Sequence, residues 1–121
     1  MARIVHFEIP AADPGKAVAF YEKVFGWQIT KWEGPQDYWL IKTGEAGEAG
    51  IDGAITRKEN SVATTNTVDV ASVDEFSQKV MEAGGKIVMP KMAVPGVGYL
   101  AYCADLDGNV FGMMQADPSA H

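Results

Sequence analysis

Residues 4–26, IVHFEIPAADPGKAVAFYEKVFG, contain an alternating segment followed by an amphipathic one. Along residues 4–9, apolar side chains alternate with side chains of mixed polarity, which include His6 and Glu8. This period of two is typical of a β-strand with one apolar face. We therefore predict a strand over 4–9 that presents His6 and Glu8 opposite its apolar side chains.

The helix that follows this strand has a recognisable signal at each end. Asp13 is a favoured N-cap, and Pro14 suits the first helical position, where its missing N–H costs nothing. Gly26 is the type of residue that ends a helix in the left-handed conformation. The apolar stripe of this helix has the i, i+3, i+4, i+7 spacing and consists of Ala17, Phe20, Tyr21 and Val24.

Three strands are predicted after this helix, at about 27–33, 37–43 and 50–56. Gly34-Pro35 separates the first two, and the glycine-rich stretch 44–50 separates the second from the third. Residues 1–57 therefore form a βαβββ module, in which we expect Trp27 and Trp32 to pack the first hairpin.

The same order of elements is predicted a second time. Ser72 and Glu75 form a capping box that starts a helix, and Gly84 ends this helix. Ser72 follows Asp13 by 59 residues and Gly84 follows Gly26 by 58, so the two modules share one plan. The strands of this second module are predicted at about 64–70, 86–93, 97–104 and 109–115.

The duplication predicts an α+β fold of two tandem βαβββ modules. Their paired, curved, mixed sheets enclose a central cavity, and the helices cover the outer faces. The modules are residues 1–57 and 63–116, joined by a linker over 58–62 and followed by a tail, 117–121, that we expect to fray. A chain of 121 residues is expected to form one compact domain overall.

Composition excludes several classes of function. Hydrophobic residues make up 47% of the chain and charged residues 21%, as in an ordinary globular protein. The net charge of −6 and the scattered basic residues argue against nucleic-acid binding. No apolar run is long enough to span a membrane. Because Cys103 is the only cysteine and the start lacks a signal peptide's apolar stretch, we expect a cytoplasmic protein.

Three segments carry a resemblance to a known family: HFEI at 6–9, FYEKVFGW at 20–27 and DLDGNVFG at 105–112. They resemble the vicinal-oxygen-chelate superfamily of glyoxalases, bleomycin resistance proteins and dioxygenases, over nearly the whole chain. PGVGY at 95–99 resembles the glyoxalase-related subgroup, whereas Leu106 stands where proline is common in the family. The resemblance implies a pocket for a small organic molecule and a homodimer.

The resemblance also implies four metal-ligand positions, on the first and last strands of each module. By the repeat offset, the four positions in this chain are His6, Gly53, Thr65 and Gly112. The single imidazole of His6 cannot replace the three or four histidine and carboxylate ligands of such a site, so we predict no metal cofactor. The minority alternative is a divalent metal held by His6 with Glu8, which shares its strand face, or with Asp52, which a register shift of one residue would turn inward.

His6 and Glu8 are the candidate catalytic residues. Imidazole titrates near neutrality and a neighbouring carboxylate tunes it, so the two can act as a metal-free acid–base pair. The alternative is a hydrogen-bonded histidine with no catalytic part. Both interpretations stay open at this point.

The pocket implied by the resemblance needs apolar walls with a few polar points. Strand aromatics are also ordinary core residues and strand threonines are ordinary surface residues, and we expect Cys103 to be a small buried hydrophobe. The candidate ligand-binding residues are Trp39, Thr65, Thr67, Tyr99, Tyr102 and Met114.

Three functions follow from the resemblance. The first is a glyoxalase-like protein that binds a small molecule, and either transforms it or does not, in a metal-free pocket. The second is a bleomycin-resistance-type protein that sequesters its ligand. The third is a metal-dependent lyase or dioxygenase with a rebuilt ligand set, which the absent ligands disfavour.

Overall fold

The computed structural model describes residues 2–60 and 63–121. The chain divides into two compact units. The first unit is His6–Thr65, and the second unit is Asn66–His121 together with the chain start up to Val5. None of the helices in the described ranges is long and apolar enough to cross a membrane.

The first unit follows the predicted β-α-β-β-β order. Its sheet has the order β2-β3-β4-β1, with β3 antiparallel to both neighbours and β1 parallel to β4. Lys58–Asn60 of the predicted linker form one 3-10 turn, and linker residues 61 and 62 lie outside the described residues. The elements are β1 (Arg3–Ala11, whose first three residues are counted with the second unit), α1 (Pro14–Phe25), β2 (Gln28–Lys31), β3 (Tyr38–Lys42) and β4 (Asp52–Arg57).

Helix α1 begins and ends where the sequence predicts. The Asp13 carboxylate accepts a hydrogen bond from the Lys16 backbone N–H at 3.2 Å, which satisfies one of the donors that a helix start leaves unpaired. Gly26 has a φ of 72° and its N–H donates to the Glu22 carbonyl. The capping predictions are therefore confirmed.

One face of the first unit's sheet packs against α1. Ile41 and Ile55 are 2% and 0% exposed there, and Trp27 and Trp39 pack beside them. Side chains alternate across a strand, so the neighbours of these residues in sequence lie on the opposite face. We call that opposite face the His6 face, and it carries His6, Glu8, Tyr38, Ala54 and Thr56.

The second unit repeats the plan, with the sheet order β5-β8-β7-β6. Strands β5 and β8 are parallel, whereas β8 with β7 and β7 with β6 are antiparallel. Ser72 caps α2 as predicted, since its Oγ accepts from the Glu75 N–H at 3.1 Å. The elements are β5 (Thr65–Asp69), α2 (Val73–Glu82), β6 (Lys86–Val94), β7 (Gly98–Ala104) and β8 (Val110–Ala116).

The core of the second unit lies between α2 and the sheet. Cys103 is fully buried in it, as expected for a small hydrophobe, and burial raises the pKa of its thiol. The buried members of this core are Val70, Val73, Ala101, Cys103 and Met113.

The expectation that the tail frays is wrong. The Ala120 carbonyl accepts a hydrogen bond from Gly96 N–H at 3.0 Å, and Asp117 N–H donates to the Val97 carbonyl at 2.9 Å. Ala120 is only 4% exposed. The tail is held because its backbone groups pair with the turn between β6 and β7, a contact that local sequence does not reveal.

Candidate functional site

A hydrogen-bonded chain of side chains crosses the His6 face. His6 Nε2 lies 2.6 Å from Tyr38 Oη, and the Tyr38 hydroxyl donates to Glu8 Oε2 at 2.8 Å. Thr65 Oγ1 donates to the other carboxylate oxygen of Glu8 at 3.5 Å, the longest contact of the chain. The structure thus brings together the two predicted catalytic residues and one predicted ligand residue, Thr65.

Tyr38 links to β1 across the intervening strand β4. Adjacent strands are about 4.8 Å apart, so the side chain spans a strand separation of about 10 Å. On β4, Ala54 stands opposite Glu8 in register and is fully buried. An alanine at this position leaves the room that the tyrosine side chain needs.

The Tyr38 hydroxyl has a single proton, and this sets the tautomer of His6. Since that proton is donated to Glu8, the Tyr38 oxygen accepts from His6, and the hydrogen of the neutral ring is on Nε2. The basic lone pair of His6 is then on Nδ1. This arrangement connects a neutral imidazole to a carboxylate through one hydroxyl.

Burial lowers the pKa of His6 below its usual value. The charges of Glu8 and Asp52 act in the opposite direction but are the smaller effects. The imidazole is therefore neutral at pH 7, which is the form that accepts a proton.

The pKa of His6 makes a testable prediction about stability. We expect the free energy of unfolding to fall as the pH drops from about 6.5 through the lower pKa that His6 has in the folded protein. The reason is that His6 in the unfolded chain binds its proton at a higher pH than His6 in the folded protein. Glu8→Gln should lower the pKa of His6 further, since the carboxylate charge is removed. An NMR titration of the histidine ring signals, assigned with His121→Ala, measures the pKa of His6 in the parent and in Glu8→Gln, and urea denaturation over the same pH range measures the stability. An unchanged or higher pKa in Glu8→Gln would contradict the assigned effect of the Glu8 charge.

The structure corrects the position predicted on β4. Gly53 pairs with Phe7, and an added β-carbon would lie 2.5 Å from the Phe7 carbonyl oxygen, so Gly53 faces α1 and not His6. Ala54 pairs with Glu8 and Gly112 pairs with Thr67, so the repeat offset is 59 on the first strands of the modules and 58 on their last strands. The prediction of Gly53 was wrong because it applied the helix-cap offset of 59 to the last strands. The second module is one residue shorter than the first between its helix cap and its last strand.

Asp52 lies in register with His6, as the one-residue shift anticipated. Its carboxylate is already used, since Oδ1 accepts from the backbone N–H and the hydroxyl of Thr43 at 2.8 and 3.2 Å. These bonds hold the start of the glycine-rich stretch against β4. The Asp52 carboxylate therefore places negative charge near His6, while its Oδ1 holds Thr43 at the start of the glycine-rich stretch.

The donors on these strands do not fit the family's metal-ligand set. His6 and Glu8 both bond to Tyr38, and the two last-strand positions, Ala54 and Gly112, have no donor side chain. Within residues 2–60 and 63–121 no three histidine, cysteine or acidic residues form a group suited to a metal ion. One imidazole and one carboxylate fall short of three or four ligands.

Trp32 packs in the first hairpin, as we expected, since its backbone N–H donates to the Tyr38 carbonyl at 2.7 Å, and it lies beside the hydrogen-bonded side chains of the His6 face. Its ring meets Tyr38 edge-on, with centroids 6.0 Å apart and planes at 73°. An added β-carbon at Gly34 would lie 2.1 Å from the Trp32 ring, so a larger residue there would require this ring to move. Trp27 does pack in the helix-side core, where it stacks on Tyr21.

Two predicted ligand residues lie in the cores, which was the alternative interpretation. Trp39 packs on the helix side of the first unit, between the charges of Lys31 and Arg57 at 5.9 and 5.7 Å. Tyr99 packs in the second core, with Lys91 Nζ 4.8 Å from its ring centre.

The remaining predicted ligand residues lie on the side of the second sheet away from α2. An added β-carbon at Gly112 would lie 3.2 Å from Thr67 Oγ1 and 3.3 Å from the Tyr102 ring, so these residues surround it. Met114 follows two residues along β8, and its side chain points to the same side. Their binding of a ligand stays a prediction.

Sequence reasoning missed Tyr38 as a residue of the site. The parity of Trp39 and Ile41 was the available signal, since two large apolar residues two apart indicate the core face and place Tyr38 opposite. No comparable signal predicts that Tyr38 would bond to β1, because β1 and β3 are not neighbours in the sheet.

Comparison with known proteins identifies a relative that matches most of this chain. The "Putative glyoxylase CFP32" of Mycobacterium bovis is 29% identical over 114 residues, covering 92% of this chain but 43% of that protein. The chain thus spans less than half the length of this relative.

Solved structures share the fold at low identity. The hypothetical protein BH1468 from Bacillus halodurans C-125 matches with a TM-score of 0.74 and 11% identity, over 99% of this chain and 98% of its own. Methylmalonyl-CoA epimerase from Mycobacterium tuberculosis matches with a TM-score of 0.68 and 16% identity, over 95% and 88%. The model of one family covers residues 3–113, and the chain belongs to that family, the Glyoxalase/Bleomycin resistance protein/Dioxygenase superfamily.

Proposed function

We propose that this protein binds a small organic carbonyl compound on the His6 face and moves a proton of that compound without a metal ion. The observation that carries the proposal is the hydrogen-bonded chain from His6 through Tyr38 to Glu8. It joins a neutral base to a carboxylate that can take up the proton, and both groups are half-buried.

Each residue of this hydrogen-bonded chain has a defined role in the proton transfer. His6 Nδ1 accepts the proton from the carbon next to the carbonyl, while the Nε2 proton passes to the Tyr38 oxygen. The Tyr38 proton moves to Glu8 Oε2, so the ligand becomes an enolate and Glu8 becomes neutral. The reverse transfers return the proton, and Thr65 helps to orient Glu8 through its 3.5 Å contact.

The relatives support this class of reaction. One relative bears the name "Putative glyoxylase CFP32", and one structural neighbour is a methylmalonyl-CoA epimerase. The fold is therefore compatible with proton transfer next to a carbonyl, and the residues named above are this chain's own means for it.

Elemental metal analysis tests the metal-free part of the proposal. Protein purified without chelators or a histidine tag, before and after titration with zinc, nickel, manganese and iron, should hold no metal above background. His6→Ala is the control. Near-stoichiometric metal that disappears in His6→Ala would contradict the proposal and favour a metal-dependent lyase or dioxygenase.

We also propose a cytoplasmic homodimer. Support comes from the family resemblance and from a single cysteine, Cys103, that is buried. Light scattering with size-exclusion chromatography measures the mass in solution, and a monomer at micromolar concentration would contradict the dimer.

A further inference from the structure

Thr56 has a buried hydroxyl that no group in the described residues satisfies. The residue is 6% exposed, and its Oγ1 has no hydrogen-bond partner within residues 2–60 and 63–121. Leaving such a group unpaired costs about 1–3 kcal/mol, so exceptions in folded proteins require an explanation.

The position of Thr56 places this hydroxyl on the His6 face. It follows Ile55, which packs against α1, and it stands opposite Tyr38 on β3 and beside Pro10 on β1. Pro10 offers no N–H and no polar side chain, and the Tyr38 hydroxyl is engaged with His6 and Glu8. These two neighbours therefore do not supply the missing bond.

The charges around this face determine which ligands it favours. Glu8 lies on it, and the carboxylate of Asp52 acts on His6 from the same side. The basic residues of β2–β4 already have acidic partners: Lys31 and Arg57 bond to Asp37, and Lys42 bonds to Glu45. An anionic group beside Glu8 would be repelled without compensation.

On the basis of the proposed function, we propose that the Thr56 hydroxyl hydrogen-bonds the ligand, and that the ligand group beside Glu8 is uncharged or cationic. An amide, ketone, alcohol or amine satisfies this requirement, whereas a carboxylate or phosphate does not. Thr56 then selects ligands by a hydroxyl that the described residues leave unpaired.

Three probes of one shape test the charge selection. Benzamide, benzamidinium and benzoate differ mainly in charge, and their binding is followed by NMR shifts of the Trp32 indole and the His6 ring. We expect the first two to bind and benzoate to bind at least tenfold more weakly. Equal or tighter binding of benzoate would overturn the charge selection.

Matched variants test the hydroxyl. Thr56→Val removes it at nearly constant shape and should weaken benzamide binding about five- to tenfold. Thr56→Ser keeps the hydroxyl and should bind within twofold of the parent. The melting temperature of free Thr56→Val should equal or exceed that of the parent, because an unpaired buried hydroxyl is removed, so that weaker binding is not a folding defect.

Tyr38→Phe separates the two proposals. If Thr56→Val binds benzamide like the parent while Tyr38→Phe binds it more weakly, the inference about Thr56 is wrong and the proposed site stands. If no probe shifts the Trp32 and His6 signals, or neither variant changes binding, the inference about Thr56 is wrong, and proton exchange in carbonyl compounds decides the proposed function separately.

Discussion

Replacing Gly53 with alanine is expected to lower the free energy of unfolding by about 3 kcal/mol. The added β-carbon would lie 2.5 Å from the Phe7 carbonyl oxygen and 2.6 Å from the Phe7 ring. The oxygen belongs to the neighbouring strand β1 and cannot move without disturbing the pairing that positions His6 and Glu8. Urea denaturation followed by tryptophan fluorescence measures the loss.

Gly15→Ala is the matched control for this substitution. Its added β-carbon would make only an ordinary contact of 3.5 Å with the Asp13 carboxylate. Because alanine is a better helix former than glycine, Gly15→Ala should leave stability unchanged or raise it by up to about 1 kcal/mol. A Gly53→Ala protein as stable as the parent would show that β1 and β4 are not paired as described.

Replacing His6 with alanine is expected to reduce proton exchange in the ligand about 10²- to 10⁴-fold, the usual contribution of a general base. The measurement is exchange of the proton next to the carbonyl, in deuterated water, across a panel of small carbonyl compounds. Tyr38→Phe should also slow exchange, since it interrupts the path to Glu8 while leaving the imidazole in place.

His121→Ala is the control for His6→Ala. His121 is exposed in the tail and contacts the Ser119 carbonyl, so its loss should leave exchange unchanged. If His6→Ala exchanges as fast as the parent while circular dichroism shows an intact fold, His6 is not the base. Saturable binding without exchange in the parent would instead favour a ligand-sequestering protein.

The register of the strands explains why the site was only partly predicted. The sequence pointed to His6, Glu8 and Thr65, which the structure joins, but it placed Gly53 where Ala54 stands. A shift of one residue exchanges the two faces of a strand, so a repeat offset that is wrong by one gives the wrong side chain.

Sequence alone was sufficient for the elements and their order. Asp13, Gly26 and Ser72 mark helix ends through bonds made within a few residues, and strand alternation is visible along a single segment. Tertiary structure alone established that Tyr38 crosses β4 to join His6 with Glu8, and that no described neighbour satisfies Thr56. The reason is physical: caps and periodicity depend on local contacts, whereas this site depends on which strands lie side by side and in which register.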